Sequence, residues 1–123
     1  MKMEAKLKSV IEVLIAKTSS GEVNWLVSSA EDEFCLYLDQ STITIGSIPE
    51  FTATTYLLRI YNSLGDLSVE FEADTDTDLD ERALLERLYM EAKKSFRNEN
   101  QTLDSIMEEL KKDGVVGNDS EKI

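Results

Sequence analysis

Histidine is absent from the 123 residues. That removes the commonest general acid–base and the commonest metal ligand together. It also excludes Ser–His and Cys–His nucleophile pairs within the chain. There is one cysteine, Cys35, so no internal disulfide can form, which fits a reducing compartment. There is one proline, Pro49, and no long apolar run. The most apolar early segment, Ser9 to Ala16, is interrupted by Glu12. It follows a Lys-rich start and so imitates a signal peptide. The charge in its middle, and Lys17-Thr18-Ser19 at the would-be cleavage site, argue against that reading. The expectation is a cytoplasmic protein without a membrane partner.

Basic residues are scarce where acids are dense. Residues 22–80 hold thirteen Asp and Glu and one cation, Arg59, a local charge of −12. The flanks, +2 over 1–21 and −2 over 81–123, cancel, so the whole chain is also −12. Such a surface suits a basic protein or a cation and repels nucleic acid and anionic membrane. No basic patch interleaved with aromatics is present, which also argues against nucleic acid. No GxxxxGK[ST], GxGxxG, CxxC, HExxH or GxSxG element occurs, and no cofactor is expected.

The apolar residues are ordered by two periods. Leu7, Val10, Ile11, Leu14 and Ile15 form one helical stripe, and Gly21 suits the position after its end. Period two follows. Val23, Trp25 and Val27 alternate with polar or outward positions, then Phe34, Leu36 and Leu38, then Ile43 and Ile45. Tyr56, Leu58 and Ile60 come next, then Leu67, Val69 and Phe71. Five short strands separated by turns read as an antiparallel meander. In the last hairpin, Ile60 opposite Val69 pairs Arg59 with Glu70 and leaves Leu64-Gly65 at the turn. In the second hairpin, Leu38 opposite Ile43 and Leu36 opposite Ile45 leave Gln40-Ser41 at the tip.

Helical spacing returns with Leu84, Leu85, Leu88, Tyr89, Ala92 and Phe96. Asp78 with Glu81, or Thr77 with Asp80, makes a capping-box start. A polar link over 97–101 then leads to a third helix capped by Thr102, with Leu103, Ile106, Met107 and Leu110 on one face. The fold expected is α+β: a five-stranded meander with one N-terminal and two C-terminal helices on one face. One domain spans 1–114, and 115–123 is a tail.

Each candidate site has a plain alternative. Asp74, Asp76, Asp78 and Asp80 are spaced like the start of a calcium loop. However, position 6 is Leu79 instead of Gly, and position 12 is Leu85 instead of Glu. A solvated lead-in to the next helix explains them better. Glu31, Asp32 and Glu33 could join them in one acidic surface. Paired carboxylates can also run acid–base chemistry or hold Mg²⁺, but only in a shaped pocket. Cys35 falls on the outer strand face and, lacking an activating base, reads as a small apolar filler. Tyr37, Leu57 and Tyr61 share that face. They suit either a docking surface or a layer covered by the third helix or the 49–55 loop. Helix three could itself dock in a partner's groove, although core packing accounts for its spacing.

The run of a helix ending near Lys17, Trp25, Leu58-Arg59-Ile60-Tyr61 with Gly65, an Asp-rich link, Leu88-Tyr89 with Ala92-Lys93-Lys94-Ser95, and Leu103 with Ile106 and Leu110 resembles small acidic bacterial proteins of no assigned function. The resemblance implies this fold and no activity.

Three functions compete. The first is a non-catalytic module that binds another protein, which is basic or is a second copy of the chain. The second is an inhibitor of a basic enzyme, imitating nucleic-acid phosphates or acting as an immunity protein. The third, and weakest, is a carboxylate-based metal-dependent enzyme.

Overall fold

A computed structural model of the chain describes residues 3–111. The elements are α1 (Ala5–Ser19), β1 (Leu26–Val27), β2 (Glu33–Tyr37), β3 (Thr42–Pro49), β4 (Thr54–Tyr61), β5 (Leu67–Ala73) and α2 (Leu79–Leu110). The strands form one sheet in the order β1-β2-β3-β4-β5, each antiparallel to its neighbour. This is the meander expected from period two. Among the described residues, no helix is long and apolar enough to cross a membrane.

The last hairpin has the expected register, with Ile60 opposite Val69, Leu58 opposite Phe71 and Arg59 opposite Glu70. Gly65 takes φ 86° in its turn, a value that glycine reaches without the Cβ clash other residues suffer. Asn62 organises that turn, its Oδ1 accepting from the backbone N–H of Leu64 and of Asp66. The second hairpin differs from expectation. Leu36 lies opposite Ile43 and Phe34 opposite Ile45. The loop is 38–41, closed by Leu38 N–H donating to Ser41 C=O at 2.8 Å. A shift of two residues leaves every side chain on its face, so alternation alone could not choose between these registers.

β1 is shorter than the alternating segment around it, and Val27 is 57 % exposed although it faces inward. Trp25, just before β1, is fully buried. Its Nε1–H donates to Thr18 Oγ1 at 2.9 Å, and its backbone N–H donates to Ser95 Oγ at 3.3 Å. Ser95 Oγ–H donates in turn to Val23 C=O. The entry to the sheet is thus tied to the end of α1 and to the middle of α2.

The core lies on the inner face of the sheet. Phe34, Leu36, Ile43, Ile45, Tyr56, Leu58, Phe71 and Ala73 meet Ile11, Leu14 and Ile15 of α1 and Leu85, Leu88, Tyr89 and Ala92 of α2. Leu84 and Phe96 pack against its margin. Val10, expected in the α1 stripe, is exposed, and Thr18 takes a buried place on α1 because it accepts the Trp25 proton.

The expected link over 97–101 is helical, so the two C-terminal helices run on as parts of α2. That stretch has no Gly or Pro, and polar side chains alone do not end a helix. Thr102 therefore sits inside a helix instead of capping one. Leu103, Ile106, Met107 and Leu110 remain about half exposed. The expected tail at 115–123 lies outside the described residues.

Thr18→Val keeps the shape but leaves the buried indole N–H without an acceptor. It should cost about 1–3 kcal/mol of stability, measured by denaturant unfolding.

Candidate functional site

The acidic segments are brought together by strand register. Glu33, Gly46, Leu57 and Glu72 form one row across β2, β3, β4 and β5 on the outer face. Three strand spacings, about 14 Å, separate the two acids of this row. Glu31 and Asp32 precede the row at one side, and Asp74 to Asp80 follow it at the other. Both predicted acidic clusters therefore occupy the same end of the sheet.

Between them the β3–β4 hairpin extends further. Its ladder continues past the row through Ser47–Tyr56, Ile48–Thr55 and Pro49–Thr54. Pro49 sits at the end of β3, where a missing N–H disturbs the ladder least. Glu50 N–H donates to Ala53 C=O and closes the tip. The hairpin touches one acidic segment and the first turns of α2. Ser47 N–H donates to Asp32 C=O at 3.0 Å, and Arg82 Nη2 donates to Thr54 C=O at 2.6 Å. Phe51 projects from the tip with its side chain fully exposed. It was not singled out from sequence. The available signal was an aromatic side chain outside any period-two run, beside the only proline.

The individual acids differ in how far they are engaged. Glu33 Oε1 accepts from Ser28 Oγ–H at 2.6 Å, and its Cγ lies 3.3 Å from where a side chain on Gly46 would begin. Asp32 holds φ 56°, a left-handed backbone that Asp tolerates better than most residues. Asp74 Oδ1 accepts from Asp76 N–H and from Thr77 Oγ–H, forming a local turn. Asp78 is the N-cap of α2, accepting from the N–H of Asp80 and of Glu81. Asp76, Asp80 and Glu31 are exposed. The carboxylates at the start of α2 also complement its dipole.

Glu81 does not complete a reciprocal capping box. Its buried carboxylate accepts from Met3 N–H at 3.0 Å, which links the segment leading into α1 to the first turn of α2. No group of three or more Asp, Glu or Cys stands close enough to hold a metal ion among the described residues.

The outer face adjoining this end carries Leu26, Cys35, Thr44, Arg59 and Glu70 in one row and Tyr37, Thr42 and Tyr61 in the next. The expected covers are elsewhere: α2 builds the inner core, and 49–55 is the hairpin and its tip. Tyr37 is 65 % exposed, Leu26 and Ile48 are exposed, and Leu57 and Tyr61 are half-buried. Cys35 is buried among its sheet neighbours, as a small filler would be. Thr44 Oγ1 is buried with no hydrogen-bond partner among the described residues. Arg59 Nε donates to Glu70 Oε2 at 2.8 Å, so the isolated cation is already engaged. That hydrogen bond foremost pushes the Arg59 guanidinium above its usual range.

Behind the hairpin, Arg82 lies 5.8 Å over the Tyr56 ring. Burial first, and the nearby Glu86 carboxylate second, push the Tyr56 hydroxyl above the usual tyrosine range.

Compared with known proteins, the chain matches no family model, no curated protein and no solved structure.

Tyr56 yields a pH dependence. Its raised folded value stabilises the protein fully below the unfolded-state tyrosine value. That contribution is lost as pH rises through the folded value. Tyr56→Phe should flatten the alkaline fall in stability, read from unfolding midpoints across that range.

Proposed function

We propose that this is a non-catalytic, cytoplasmic protein-binding module whose partner is a basic protein. The observation that carries this reading is Phe51, fully exposed at the tip of the β3–β4 hairpin, which the strand order sets between the acidic segments that precede β2 and follow β5. An exposed aromatic ring between two acidic segments has the composition of an interface centre and its rim. The ring supplies the apolar area lost to water on docking, and the acids steer a basic surface towards it. The open outer face adds Leu57 within the acidic row and Tyr37 and Tyr61 two rows further along.

A second reading is supported by the distance between the clusters. Carboxylates at two sides of one end, about 14 Å apart across four strands, present charge over a span comparable to a stretch of nucleic-acid backbone. On this reading the partner is a nucleic-acid enzyme, and the module blocks its cleft.

The test begins by capturing a partner from a cell extract with the full chain and then measuring its affinity. Phe51→Ala should weaken that binding by about thirtyfold, equivalent to the roughly 2 kcal/mol typical of an aromatic anchor. Asp76→Lys should slow association, and the wild-type affinity should fall as salt rises. Salt-insensitive binding that ignores both substitutions would sink the proposal. Added duplex DNA that competes the partner away would select the second reading.

A further inference from the structure

We propose that the free edge of β5 takes an extended basic segment of a partner by strand addition. The segment would have Lys or Arg alternating with apolar residues. This concerns the sheet edge, and it stands whether or not the Phe51 end engages a partner.

The first ground is the backbone. β5 pairs with β4 alone and forms an edge of the sheet. A strand directs alternate N–H and C=O groups away from its neighbour, so an edge offers them to another chain. No described backbone group bonds to this edge over 67–73. At its C-terminal end, Glu72 C=O receives only a long contact from Thr77 Oγ–H, at 3.5 Å. The accessible stretch is therefore Ser68 to Phe71.

The second ground is shape. A groove of about 300 Å³ runs along that stretch, lined by Met3, Glu4 and Leu7 as well as residues 68–71. An added strand would lie along β5 with alternate side chains on opposite faces. Those directed inward would meet Val69, Leu7 and Met3, which are apolar, with Glu4 also in the lining. Those directed outward would pass Glu72, an exposed acid, and Glu70, which is exposed but already ion-paired with Arg59. The two environments alternate with the period of a strand, which selects an alternating ligand.

The third ground is what the edge rejects. Antiparallel pairing of two copies about Glu70 would oppose Glu70 to itself, and like charges facing each other destabilise such a pair. Ser68 adds a bulge, since Ile60 faces Val69 while Tyr61 faces Leu67. Charge and bulge are common guards against edge-to-edge association. Glu72, the edge acid that Arg59 does not hold, would attract a cationic strand.

The probe is a capped peptide, Lys-Val-Lys-Val-Lys-Val-Lys, added to the full chain and followed by amide-resolved NMR and hydrogen exchange. Three comparisons decide the outcome. A peptide of the same composition with its lysines and valines in two blocks should bind at least about tenfold more weakly, because only alternation satisfies both faces. Glu72→Lys should weaken the alternating peptide by about tenfold, while Asp39→Lys, at the opposite end of the sheet, should leave it unchanged. The protected amides should fall within 68–71.

Equal binding of the two peptides would overturn the proposal, as would protection on β2 or around Phe51 instead. Edge amides already as protected in the free chain as those of β4 would show that the chain covers its own edge. Self-association through β5 at high salt would assign the edge to a second copy. Either of these last two results would also overturn it.

Discussion

Tyr89 of α2 rests on the rings of Phe34 and Tyr56, with centroids 5.6 and 5.7 Å away. Phe34 also meets Phe96, about two helix turns further along. This aromatic contact joins the helical layer to β2 and β4, on either side of β3. With Leu85, Leu88 and Ala92 it seals the inner face, and the apolar area removed from water there is the main source of stability. The other features follow from this one-sided seal. A sheet has two faces, and the described helices bury their apolar side chains in only one of them. The opposite face, the strand edge and the hairpin tip are therefore left for solvent or for a partner.

Polar groups in the covered region are placed to avoid unpaired burial. The Trp25 indole reaches Thr18, its backbone reaches Ser95, and Glu81 receives the Met3 N–H. Each of these bonds joins segments far apart in the chain or closes a helix end onto a strand. They constrain where the elements sit, whereas the apolar contacts supply most of the driving force. The acids behave differently. Those at the sheet end face solvent or cap local turns, so their charges are not cancelled by cations, and the end as a whole stays strongly negative.

Much of the fold was legible because its two periods are clear. The alternation of Leu58 and Ile60 against Val69 and Phe71, with Arg59 facing Glu70, determines a register that a one-residue slip would ruin. The second hairpin escaped this reasoning because a two-residue shift preserves faces, and only the four-residue turn at 38–41 separates the choices. The break expected near 97–101 failed for a related reason. Polar composition is compatible with either a loop or an exposed helix, and nothing there removes a backbone hydrogen bond. The candidate site was legible only in its ingredients. Glu31–Glu33 and Asp74–Asp80 stood out by density, Tyr37, Leu57 and Tyr61 by their shared strand face. Phe51 did not stand out at all, because a lone aromatic in a connection carries no periodicity.

Composition and spacing by themselves determined that the chain lacks histidine chemistry, that its middle is strongly acidic, and that it alternates as an antiparallel sheet between helices. These properties are local: each is decided by residue identity or by neighbours a few positions away. Tertiary structure alone decided that two acidic segments some forty residues apart share one end of the sheet. It also decided that Phe51 stands between them and that β5 borders an open groove. Those facts depend on which strands become neighbours and on how far each hairpin runs past the next. Such long-range relations are set by packing against α1 and α2, and no short window of sequence contains them.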